Sequence, residues 1–138
     1  MGQEVERVEH QGKELAVIVR SAFRKDGIAF FTPGDYSQQL GYMNRPAGYC
    51  IQPHVHKQVQ RSVRATLETL FIRSGRVRID FFDQDHRLVT AAVVGTGDVV
   101  LLVAGGHGLT MLEPSEIIEV KQGPYAGDED KTLFRPAE

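Results

Sequence analysis

From Leu15 onward the sequence breaks into short runs of β-branched and aromatic residues, each closed by Gly, Pro, Asp or Asn. That spacing leaves no room for a long amphipathic helix and predicts a meander of strands. The runs are Leu15–Val19, Ile28–Thr32, Ser37–Asn44, Tyr49–His56, Leu67–Arg73, Arg76–Phe82, Leu88–Val94, Val99–Val103, Leu109–Leu112 and Glu116–Lys121. So many strands in 138 residues predict a single all-β domain, sandwich or barrel, with under about one fifth of its residues in helix. Its core is expected at about 37–122, and the first dozen residues and the tail from about Asp128 read as charged and loosely held.

Within the runs, alternation assigns faces. Val77, Ile79 and Phe81 share one side of their strand, and Arg76, Arg78 and Asp80 take the other. Turn formers at Arg73-Ser74-Gly75-Arg76 and Asp83-Gln84-Asp85-His86 mark hairpins on either side. Val99–Val103 is apolar on both sides, which predicts burial against a second sheet or a subunit interface. With a second apolar strand near Val17, it leads to the expectation of a homodimer.

Charge narrows the partners. The formal net charge of −2 and a pI near 6.2 supply no summed positive field for a phosphate backbone or an anionic lipid surface, so neither nucleic acid nor membrane is expected as a partner. The lone Cys50 cannot close a disulfide within the chain, and no N-terminal stretch has the build of a secretion signal. A cytoplasmic location is the expectation.

The chemistry concentrates in two segments. In the first, Gly48-Tyr49-Cys50-Ile51-Gln52-Pro53-His54-Val55-His56, an extended backbone would turn both imidazoles to one face, because residues two apart project alike. The second begins at Leu67-Glu68 and runs to Gly75. If Glu68 faces the same interior, a carboxylate joins the pair, and His107, after Val103-Ala104-Gly105-Gly106, adds a third imidazole. Three nitrogens and one carboxylate suit a divalent ion such as Zn, Ni, Fe or Mn. His10 and His86 lie in polar surroundings and are assigned to the surface. Cys50 shares parity with His54 and reads as a small buried side chain below the site.

These residues resemble the cupin superfamily, whose first motif is G-x5-H-x-H-x(3,4)-E-x6-G. Gly48, His54, His56, Glu68 and Gly75 fall on it, and Gly97, Gly105 and His107 match part of the second motif. Eleven residues separate His56 from Glu68, so that assignment rests on the six-residue spacing to Gly75, with Gln60 as the alternative fourth ligand. The resemblance implies a double-stranded β-helix, the jelly-roll or cupin-type barrel, holding a divalent metal ion on His54, His56, Glu68 and His107. The short chain and its Gly123-Pro124-Tyr125-Ala126-Gly127 tail are similar to small cupins of bacterial polysaccharide and sugar metabolism. A small polar, sugar-like ligand is implied. Two functions stay open: a metal-dependent enzyme such as an isomerase, epimerase or dioxygenase, and a non-catalytic binding module. Arg61 and Arg64 in the long interval, with Lys121 and Tyr125 near the tail, are the candidates for touching a ligand.

Overall fold

The computed structural model describes residues 4–138. Ten strands are present: β1 (Val5–His10), β2 (Lys13–Val19), β3 (Gly27–Phe30), β4 (Gly41–Asn44), β5 (Glu68–Ser74), β6 (Arg76–Phe82), β7 (Leu88–Gly95), β8 (Val99–Leu102), β9 (Gly106–Met111) and β10 (Glu116–Lys121). Among the described residues the only helical element is a single 3₁₀ turn at Gly127–Glu129, so the protein is all-β. No helix of the described residues is long and apolar enough to cross a membrane.

Every pairing is antiparallel. The strands form a five-stranded sheet in the order β1-β2-β8-β5-β10, a three-stranded sheet β7-β6-β9, and the two-stranded β3-β4, and none closes on itself. The two larger sheets pack face to face. Ile18, Leu70, Ile72, Val100 and Leu102 from one meet Val77, Ile79, Phe81 and Val94 from the other. The faces predicted for β6 are the faces observed, with Val77 and Ile79 fully excluded from water while Arg76 and Arg78 are exposed.

β2 and β8 carry apolar residues on both sides because their sheet is covered on both sides. Val17, Val19 and Leu101 point away from the sandwich and are sealed by Phe31, Leu67 and the side chains of the β3-β4 region, where Phe23 sets its ring edge against Phe31 and Tyr42. The Val99–Val103 run therefore finds its cover within one chain, and it no longer argues for a second subunit.

Two expectations are corrected. Residues 5–10, read as loosely held, form edge strand β1, whose charges suit an edge and are paired: Arg7 donates to Glu14 at 2.8 Å, and Arg20 to Glu6. Tyr49–His56, read as a strand, is not one. Pro53 lacks an amide donor, Pro46 and Gly48 break the approach, and no neighbouring strand takes up the backbone groups. The whole stretch 45–66 is exposed, a 22-residue arm between β4 and β5.

Candidate functional site

On the inner face of the five-stranded sheet, Glu68 is in line with Leu70 and Ile72 of β5, two residues apart each time. On β10 the same rule puts Glu119 and Lys121 in line with Ile117, which packs on the core. In the facing sheet, His107 lies opposite Phe81 of β6, so its ring also points inward. The apolar layers stop here. A cleft of about 910 Å³ opens at this end of the sandwich, within the size range of small-molecule sites.

Glu68 and His107 meet in this cleft, Oε1 to Nε2 at 3.9 Å, with side chains 18% and 29% exposed. Burial, reinforced by a hydrogen bond with Glu119 and by that residue's charge, pushes the Glu68 carboxyl up to about 7 against the opposing charge of Lys121. Burial also lowers the His107 imidazolium, and Lys131 adds to the effect against the pull of Glu119. At 3.9 Å the imidazole and the carboxyl are in close approach, longer than a hydrogen bond.

Lys121 borders the cleft but is occupied. Its ammonium pairs with Asp130 at 2.8 Å, which lifts Lys121 and lowers Asp130. Asp130 belongs to a C-terminal strap, 130–136, that forms one wall, where Phe134 packs edge-on against Phe82 at 5.3 Å and stacks on His86 at 4.0 Å. Tyr125 is 80% exposed and outside the cleft, with Lys121 Nζ 5.5 Å from its ring centroid.

The remaining predicted residues are on the arm. His54 and His56 stay neighbours, ring centroids 5.2 Å apart and nearly perpendicular, and His54 Nδ1 lies 2.9 Å from the Gln52 carbonyl. Both are exposed and away from the cleft lining, as are Gln60, Arg61 and Arg64. Cys50 is exposed too, not buried beneath a site. The donor chemistry of His54, His56, Glu68 and His107 suits a divalent ion, but this conformation holds it in two halves. Among the described residues no three His, Cys, Asp or Glu side chains are gathered closely enough to hold a metal ion.

Glu119 escaped the sequence reading, although a signal for it exists. In Glu116–Lys121 the parity of Ile117 places Glu119 on the face that turns to the cleft, where it lines the opening and stays exposed. Comparisons with protein-family models, with curated proteins and with solved structures find no match.

Proposed function

We propose that this protein is a metal-binding β-sandwich of the cupin type whose cleft receives a small polar ligand. The observation that carries the reading is the meeting of Glu68 and His107 at 3.9 Å, though they stand 39 residues apart in the chain. Glu68 was picked out by its spacing to Gly75, and His107 by its place after a Gly-rich turn. A divalent ion would supply Lewis-acid or redox chemistry to a ligand oxygen. Deprotonated Glu68 and neutral His107 are the forms in which these side chains ligate, and His107 is already held neutral by burial. Glu119, hydrogen-bonded to Glu68 at the cleft, is the group positioned to accept or return a proton during turnover. The jelly-roll form of the fold belongs to the same proposal, since the two facing sheets would extend towards closure if the arm joined an edge.

An enzyme and a binding module would share this cleft, and turnover of polar metabolites separates them. Metal content decides the first step. Protein purified without a histidine tag is expected to carry close to one divalent ion per chain by inductively coupled plasma mass spectrometry. Wild-type protein that stays metal-free after incubation with zinc, nickel, manganese and ferrous iron would overturn the proposal.

A further inference from the structure

The division of the donor set into an arm half and a cleft half has a geometric counterpart at the edge of the smaller sheet. β9 pairs with β6 on one side only, and among the described residues no strand pairs with its other edge. The cleft wraps around that edge, lined by His107 and Leu109 from one face of β9 and by Gly106, Gly108 and Thr110 from the other. A free strand edge beside a cavity is a place for one more strand.

The arm has the pattern of that strand. Tyr49, Ile51, Val55, Val59 and Val63 stand at odd positions, and Gln52, His54, His56, Gln58 and Gln60 at even ones. Over 49–56 this period of two gives one apolar face and one polar face carrying both histidines, and beyond it Lys57 and Arg61 interrupt the apolar face. In the structure the apolar face has no cover, with Val55 89% exposed. Set against β9 with His54 and His56 turned to the cleft, the arm would point its apolar face away from the sandwich. Something else must then cover it.

We infer that a second copy of this chain does so, and that the two copies exchange arms. The arm of one molecule lies along β9 of the other and brings His54 and His56 to the Glu68 and His107 of that second copy. This rests on the four-residue metal reading above and adds that each site is built from two chains. Three observations suit the exchange. The arm springs from the β3-β4 hairpin, whose outer residues Ile28, Phe30 and Met43 are also exposed, Phe30 at 64%. That hairpin covers the face of the five-stranded sheet remote from the sandwich core, and its own outer side is left uncovered. The chain exposes 10130 Å², whereas a compact monomer of 15.4 kDa exposes about 7,200 Å². That excess is larger than the roughly 800 Å² each partner contributes to a standard interface. Finally, arm and edge belong to the same chain, so one two-fold axis satisfies both twice and closes the assembly.

Two defective variants test the exchange. His54→Ala/His56→Ala loses the arm half and Glu68→Gln/His107→Ala loses the cleft half, and cobalt(II) serves as the probe through its visible absorption and metal analysis. Each variant alone is expected to bind under about one tenth of the wild-type cobalt. The mixed dimer, isolated through two different non-histidine tags, contains one complete site and is expected to bind one cobalt per dimer, half the wild-type amount. A mixed dimer without cobalt, when wild type binds two, would overturn the exchange and leave the metal reading intact. Wild type without cobalt would overturn the metal reading instead, and the exchange is then decided without metal. Cys50 is the sole cysteine and lies on the arm, so wild type mixed with Cys50→Ser/Thr110→Cys and treated with a short bismaleimide should give a covalent dimer. Cross-linking of Thr110→Cys alone at monomer mass only, no cross-link at all, or sedimentation as a monomer would each overturn the exchange.

Discussion

Phe134 stacks on His86, ring centroids 4.0 Å apart and planes 13° from parallel, and this contact fastens the C-terminal strap across the cleft. His86, assigned to the surface from its polar surroundings, therefore has a packing role. Its carbonyl also accepts the Ala137 amide at 2.7 Å. Gly106 makes room for the ring, since a Cβ there would come within 2.7 Å of Phe134 Cζ. An aromatic pair contributes about 0.5–1.5 kcal/mol beyond buried area. Phe134→Ala is expected to raise exchange of the Ala137 amide about fivefold, with β-strand amides unchanged. Hydrogen exchange followed by mass spectrometry reads this, and an unchanged Ala137 would show that the strap is held elsewhere.

The second fastening of the strap is sensitive to acid. Lys121 donates to Asp130 and holds its carboxyl below the usual value, and Thr66 also donates to it, at 3.3 Å. A lowered folded-state value means that the contribution is complete above about pH 4 and is lost as the pH falls through the depressed value. Peptic cleavage around Leu133 and Phe134 is expected to accelerate below pH 3.5 faster than cleavage elsewhere. Asp130→Asn should show the open behaviour already at pH 5.

Gly75 is a backbone requirement before it is a motif position. It turns β5 into β6 with φ +98°, and a Cβ would lie 2.6 Å from the Pro114 carbonyl oxygen and collide with Ser115 Oγ. Positive φ and a backbone clash together make Gly75→Ala cost about 2 kcal/mol or more. Urea denaturation should give a lower midpoint with an unchanged slope, and a midpoint equal to wild type would refute the account.

Asp98 is the one buried charged side chain among the described residues. It accepts the Ser21 and Gly95 amides, both at 2.8 Å, and Arg20 Nη1 at 3.1 Å, tying the β7–β8 turn to the end of β2. Asp98→Ala leaves two amides and a guanidinium short of an acceptor and is expected to cost about 3 kcal/mol. Asp98→Asn should cost about half of that. Equal losses in the two variants would mean that the charge, not the acceptor geometry, carries the contribution.

The two candidates for the oxygen ligand separate cleanly. Glu68 is in the cleft and Gln60 on the exposed arm. A carboxylate brings charge to a divalent ion where an amide brings only a dipole. Glu68→Gln is expected to lower bound metal per chain at least tenfold, while Gln60→Ala leaves it within experimental error. The reverse result would transfer the ligand role to the arm.

Local alternation and turn chemistry determined much of this protein. Arg76–Phe82 and Glu116–Lys121 appear with the expected limits, and the Asp83–His86 turn is closed by Asp83 Oδ1 accepting the Asp85 and Arg87 amides. Which face of β6 is buried was also legible, because side-chain parity is a property of the strand itself. The tertiary structure decided what parity cannot express. β1 is a strand because β2 offers it an edge, and 49–56 is not one because nothing pairs with it, although its alternation is as regular as any in the chain. A strand is completed by hydrogen bonds to a neighbour, and the neighbour is set by long-range packing. The same holds for the cleft: spacing to Gly75 singled out Glu68 and a Gly-rich turn singled out His107, but only the facing of two sheets brought them to 3.9 Å and set Glu119 beside them.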